Sequence, residues 1–334
     1  MKKKTFALGL CAAALSMSVM AGCGKADSAD GNADNSFSIE YPSYMKTYDL
    51  TEPLTLDAYP ETIVSLSTYP VPTLLEMDVK LAAVPATKVI EYPADFEGVI
   101  LPGVMAGFDI EQVVSLDPDL VIMPISYQEQ YGATLEEVKI PVYYVAMTST
   151  ETDVYNVIKE QAEVLVDAFS VDEEATKKGE AILKRFDELE HKLTEAKKTL
   201  ESKRVLAITV AGETSIYVNS ASSTLGCMLD KCGLENVFVP SGDATTGHSM
   251  NELDLEAALS YNPDVICITG SSTLEDNKAL MDAIYAANSE YWDSIEAYKN
   301  GKVVYLPSSY VSTAGITILT NIENLAGMIE ALYQ

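Results

Sequence analysis

The chain has 334 residues, 48% of them apolar, and carries 22 Lys and Arg against 50 Asp and Glu, a formal charge of −28. That field repels nucleic acid and anionic phosphate surfaces. The length exceeds what one hydrophobic core usually organises, so two domains are expected.

At the amino end, three lysines precede an apolar run of signal-peptide length, too short for a spanning helix of about 20 apolar residues. Residues 1–22 therefore read as an export signal. Met20, Ala21 and Gly22 before Cys23 resemble a bacterial lipobox, which implies that Cys23 is acylated and becomes the mature N-terminus. The protein is then expected at the extracytoplasmic face of the cell membrane, held by a lipid anchor. Loss of residues 1–22 removes three lysines and no acids, leaving 19 basic against 50 acidic residues, or −31. Residues 23–37 are small, polar and acidic, a composition that builds no core, and are read as a flexible tether.

Beyond the tether the chain repeats itself. DIEQVVSLDPDLVI from Asp109 and DLEAALSYNPDVIC from Asp254 align at an offset of 145 residues. Asp109, Glu111, Ser115, Pro118 and Asp119 fall on Asp254, Glu256, Ser260, Pro263 and Asp264. Each copy offers an Asp to cap a helix, apolar residues at helical spacing, a Pro-Asp stop and a run of β-branched and aliphatic residues. The unit is helix, turn, buried strand. TIVSLS from Thr62 and RVLAIT from Arg204 open the two halves, and IPVYYV and GKVVYL supply later strands. Strands alternating with helices predict a mainly parallel sheet covered on both faces in each lobe.

Between the halves, residues 172–201 are dense in helix formers and contain no proline. Ile182, Phe186, Leu189 and Leu193 recur at spacings of 4, 3 and 4, giving one apolar stripe on an otherwise charged helix. The expected organisation is an α/β fold of two Rossmann-like lobes, 38–170 and 203–334, joined by one long inter-domain helix, 171–202. Cys227, Cys232 and Cys267 are an odd set, and Cys227 and Cys232 lie five apart in a predicted helix, beyond the ~7 Å Cα reach of a disulfide. Buried free thiols are expected.

On these residues, the ETIVSLS strand, FDIEQVVSLDPDLVI, the long helix, RVLAIT and LDLEAALSYNPDVICI, the chain over 57–334 resembles the helical-backbone class of ABC-importer substrate-binding proteins, which carry siderophores, haem and cobalamin. The resemblance implies a monomeric, non-enzymatic binder. It would hold a bulky small-molecule ligand between the lobes and deliver it to a permease dimer with its ATPase. It also implies that Glu111 and Glu256, one per lobe, dock on permease arginines.

Loops at the carboxyl ends of strands should line the cleft. They supply Tyr69, Tyr92, Phe108, Tyr127, Tyr131 and Tyr310, suited to a large planar or macrocyclic ligand. Tyr69, Tyr127 and Tyr310 are candidate contacts. The chain's two arginines, Arg185 and Arg204, lie outside these loops, and Lys88 is their one basic residue, which disfavours strongly anionic siderophores. His191 reads as a solvated helix residue. His248 lies in a second-lobe loop and Met105 in the first-lobe loop before the motif helix. A Met and His pair can hold haem iron, one on each face, and the resemblance includes haem carriers with that arrangement. Met105 and His248 are therefore candidate iron contacts if the cargo is haem. Met250, the repeat partner of Met105 at the 145 offset, is the other candidate. Cobalamin and a neutral ferric hydroxamate are the competing cargoes.

A zinc carrier would want three or four converging His and carboxylate ligands, and the loops supply one His. No nucleophile elbow or phosphate-cradling glycine loop is present, and Ser67 with His248 lacks an orienting acid. No catalytic cofactor is expected. A surface receptor without a transport role is the remaining alternative.

Overall fold

The computed structural model describes residues 36–103, 107–147, 153–212, 215–238, 250–253 and 260–334, with Met250 and Asn251 described by their backbone alone. The first lobe opens with an antiparallel pair, β1 (Phe37–Ile39) and β2 (Leu54–Leu56). Phe37, expected to end the tether, is already built into the fold. Its ring packs edge-on against Tyr59 at 5.3 Å and Phe169 at 5.1 Å, so an apolar anchor closes the polar segment.

The first sheet contains β3 (Ile63–Ser65), β4 (Leu81–Pro85), β5 (Val99–Leu101), β6 (Leu120–Pro124) and β7 (Val142–Val145). Its order is β5-β4-β3-β6-β7 and every pair is parallel. Helices α1 (Val71–Glu76), α2 (Ile110–Ser115) and α3 (Ala133–Glu137) cross between strands. α4 (Val154–Phe169) then closes the lobe, and α5 (Glu173–Leu200) leads out of it.

The second sheet contains β8 (Arg204–Val210), β9 (Ile216–Asn219), β10 (Glu235–Asn236), β11 (Met250–Glu252), β12 (Val265–Gly270) and β13 (Val303–Tyr305). Its order β11-β9-β8-β12-β13 mirrors the first, with β10 on the start of β8. One strand departs from the parallel expectation: β9 runs antiparallel to both neighbours, because the chain returns directly beside β8, with Ala211 N donating to Ser215 O at 3.0 Å. Helices α6 (Thr224–Lys231), α7 (Leu274–Ala287) and α8 (Thr317–Ala331) complete the lobe.

The repeat explains how each sheet is pinned. Asp119 Oδ2 accepts from the backbone N–H of Glu61 at 2.9 Å and Thr62 at 2.8 Å, where β3 begins. Asp264 Oδ2 accepts from Arg204 N at 2.8 Å, where β8 begins. The residue two before each aspartate, Asp117 and Asn262, takes a left-handed backbone with φ of 48° and 43°. Asp and Asn tolerate that conformation better than other side chains bearing a Cβ, and the proline that follows stops the helix.

Asp172 caps α5 by accepting from Ala175 N, and the predicted stripe Ile182, Phe186, Leu189 and Leu193 is buried. At about 1.5 Å per residue the helix spans about 42 Å. It is tied to the first lobe by Arg185 to Glu76 at 2.7 Å and by Lys178 to Asp78. To the second lobe it is tied by Lys192 to Glu323 at 2.7 Å and by Glu190 to Lys231 at 3.1 Å.

The inner faces of both sheets, with α4, α5, α6 and α8, share one continuous hydrophobic core, while each outer face has its own smaller one. The lobes meet closely: a Cβ on Gly315, whose φ is +49°, would fall 2.0 Å from the carbonyl oxygen of Tyr69. Cys227, Cys232 and Cys267 are buried free thiols.

Candidate functional site

The parallel strands of both sheets aim their carboxyl ends at one place, and a cavity of about 480 Å³ lies there. From the first lobe Ser67 and Thr68 follow β3, Thr87 and Lys88 follow β4, Gly103 follows β5 and Met147 follows β7. From the second, Ser271 follows β12, while Ser308, Val311 and Ser312 follow β13. Open α/β sheets bind ligands at this end of the strands. A larger hollow of about 620 Å³, lined by Thr62, Asp78, Leu81 and Gly98, belongs to one lobe and sits at the opposite ends of β3 and β4.

The cleft loops are held by hydrogen bonds to their own lobe. Ser65 Oγ donates to Ser67 O at 2.7 Å, and Tyr92 OH donates to Pro85 O at the end of β4. Thr269 Oγ1 donates to Pro307 O at 3.0 Å, and buried Asn277 donates to Ser272 O and Leu306 O. Burial pushes the Tyr92 phenol up to about 12. The result is a cleft of fixed walls presenting hydroxyls, a few apolar groups and one ammonium.

Residues 63–310 match the model of the family described as periplasmic binding protein. The chain belongs to that family. A curated relative, the cobalamin-binding protein of Halobacterium salinarum, is 24% identical over 313 residues, 92% of this chain and 78% of that protein. Among solved structures, the iron uptake ABC transporter substrate-binding protein PiuA of Streptococcus pneumoniae superposes with a TM-score of 0.67 at 23% identity, covering 86% of this chain and 97% of that one. The petrobactin-binding protein YclQ of Bacillus subtilis gives 0.66 at 20% identity, covering 88% and 99%. At such identities the likeness to the two structures is one of fold. Membership of the family makes the chain a binding protein, and no catalytic cofactor is implied.

In this periplasmic binding protein the tyrosines divide. Tyr69 and Tyr310, expected on the cleft wall, are 4% and 2% exposed and belong to the shared core beneath it. The Tyr310 hydroxyl donates to Asn321 O at 3.0 Å, and burial raises both phenols. The loop turns give the cleft to their hydroxyl neighbours, Ser67 and Thr68 beside Tyr69 and Ser308 and Ser312 around Tyr310. Tyr127 is half-buried on the first-lobe rim, stacked on Tyr131 at 5.8 Å and edge-on to Phe108 at 5.1 Å.

Glu111 is exposed in the first turn of α2, capped by Asp109, which accepts from Glu111 N at 3.1 Å. Because α2 leads from the carboxyl side of β5 into β6, Glu111 sits at the cleft end of its lobe. Glu256, Cys23, Met105 and His248 lie outside the described residues. Met250 opens β11 opposite Asn219, at the end of that strand remote from the cleft. The equivalent edge strands end at Leu101 and Glu252, 151 residues apart, so the 145 offset of the motif does not hold for them. Met250 therefore falls inside a strand, whereas Met105 follows the matching one.

Arg185 and Arg204 are engaged away from the cleft, Arg185 on α5 and Arg204 at the amino end of β8, where it donates to Asn262 O at 2.9 Å. His191 is exposed on α5. Among the described residues no group of three or more His, Cys, Asp or Glu is placed to hold a metal ion, and no helix is long and apolar enough to cross a membrane. Ser67, Ser308 and Ser312 lie in expected cleft loops whose tyrosines were the expected contacts, whereas Ser271 and Met147 were missed because the loops after 145 and 270 were not counted as cleft loops. The strand endings there, and the Thr269–Ser272 hydroxyl run, were the usable signals.

Proposed function

We propose that this protein is the lipid-anchored, extracytoplasmic substrate-binding protein of an ABC importer, and that it captures haem between its lobes for delivery to a permease dimer. The observation that carries the importer reading is the cavity formed jointly by the strand ends of both lobes. Haem is favoured by Met105, which follows cleft-lining Gly103 by two residues, by His248 as the histidine of the second lobe's loop, and by the lack of arginine in the cleft lining. Cobalamin is the second reading, favoured by the name of the relative matched over 92% of the chain and by a cleft rich in neutral hydroxyls. Cys23 carries the anchor. Glu111, exposed in the first turn of α2, and its repeat partner Glu256 each serve one half of the permease, where a carboxylate suits recognition by arginine.

Titrating the purified protein with haemin is expected to give an intense Soret band that shifts in Met105→Ala and His248→Ala. An unchanged spectrum in both variants sinks the axial pair, and binding of cyanocobalamin but not haemin moves the assignment to the corrinoid. The double variant Glu111→Ala, Glu256→Ala is expected to keep ligand affinity and lose uptake in cells. Retained uptake removes the docking role.

A further inference from the structure

The hollow of about 620 Å³ at the amino ends of β3 and β4 lies outside the ligand cleft. Val79 and Leu81 give it an apolar floor, and its rim carries the carboxylates of Glu61, Asp78, Asp95 and Glu97 against the single ammonium of Lys80. Lys178 of α5 engages Asp78, but among the described residues no ion pair engages Glu61, Asp95 or Glu97. One wall is set in advance. The Phe96 ring stacks on Tyr92 at 5.5 Å and lies against Gly98, where a Cβ would fall 2.5 Å from that ring and 2.4 Å from the carbonyl oxygen of Leu81. Gly98 leads straight into β5, the outermost strand of the first sheet, whose far edge pairs with no other described strand. On that strand Val99 and Ile100 are 39% and 53% exposed. Lys or Pro usually guards such an edge against another chain; here the approach to it is flanked by Glu97 and the acids of the hollow instead.

We propose that β5 and the hollow form a docking surface for an extended basic segment of a partner protein, which adds a strand to the free edge of β5 and sets an apolar side chain into the hollow. In strand addition the backbone groups of the edge supply affinity, and pockets for alternate side chains supply selectivity. Charge complementarity picks the partner. The surplus of carboxylates on the rim attracts Lys and Arg and repels acidic segments, and at −28 it repels a second copy of this chain. The surface lies at the end of the lobe opposite the cleft, so a partner held there leaves the ligand cavity open. It is independent of which cargo the cleft takes.

The probe is an end-capped synthetic peptide alternating Lys and Val, titrated into the whole protein and followed by amide NMR. Shifts are expected to concentrate on residues 97–101 and 78–82. Affinity is expected to fall about tenfold in Ile100→Lys, which places a like charge on the edge, and about tenfold in the double variant Asp95→Asn, Glu97→Gln. A peptide of equal charge with Pro at its centre is expected to bind about tenfold more weakly, because Pro has no N–H to give to the edge. Equal binding of the two peptides, or shifts spread along the acids of α5, shows attraction to net charge alone and overturns the proposal. Absence of any shift at β5 overturns it as well. Sedimentation showing wild-type dimers that Ile100→Lys abolishes assigns the edge to a second copy of the chain, and likewise overturns it.

Discussion

Asp119 gathers two backbone N–H groups onto one carboxylate oxygen, and its repeat partner Asp264 gathers one. Each fixes the residue from which the central strand of its sheet starts, so each acts on register rather than on the cleft. Removing an acceptor leaves its donors to water and loses about 1 kcal/mol or more per bond. Asp119→Ala is therefore expected to destabilise the protein by about 1 kcal/mol more than Asp264→Ala, read as midpoints of urea unfolding at neutral pH. Equal losses would mean that the proline and the left-handed residue, not the carboxylates, hold these turns. The same scale shows what a sequence hides: nothing in STYP or SSYV tells that Ser67 and Ser308 line the cleft while Tyr69 and Tyr310 turn into the core. That choice is made by packing from the opposite lobe, which one loop does not encode.

α5 was legible because 28 residues of periodic sequence leave one solution, an amphipathic helix with a single buried stripe. The parallel strands were legible for a related reason, since runs such as Leu120–Pro124 and Val265–Gly270 are buried on both faces and read as continuous apolar segments. β9 and β11 were not, because four-residue and three-residue strands carry too little pattern to fix direction. The repeat offset failed at the same place, because the edge strands end 151 residues apart, at Leu101 and Glu252, against 145 for the motif. For α5 the stripe outweighs the charges: Phe186 is 1% exposed and its ring meets Tyr155 edge-on at 5.7 Å, whereas the ties to both lobes are surface ion pairs. Phe186→Ala is expected to cost about 3 to 5 kcal/mol. Arg185→Ala or Lys192→Ala is expected to cost less than about 1 kcal/mol. Denaturant melts of the three variants check this order, and a charge variant as damaging as Phe186→Ala would make α5 an electrostatic strut.

At the scale of the whole molecule, the floor of the cleft is also the junction of the lobes, and it is populated by weak acids. The Tyr69 phenol lies near Cys227, and Tyr310 near Cys232 and Cys267, so these groups run across the shared core from one lobe into the other. Burial pushes the Cys227 and Cys232 thiols from 9.0 up to about 12 and raises Cys267 as well. The protonated thiol is the neutral form, so the folded protein keeps its protons to higher pH than the unfolded chain. Stability from these groups is whole below pH 9 and is lost as pH climbs from 9.0 through about 12. Each group contributes a slope of up to about 1.4 kcal/mol per pH unit in that window. Urea midpoints are therefore expected to stay level from about pH 6 to about pH 8, where thiols are protonated in both the folded and the unfolded chain, and then to fall. Cys227→Ala with Cys232→Ala should start from a lower midpoint, because two buried side chains are shortened, and should fall less steeply above about pH 9. Since the acids sit between the lobes, both sheets are expected to unfold in one transition at alkaline pH. An identical alkaline slope in wild type and double variant would place the loss elsewhere, in lysine and exposed tyrosine titration.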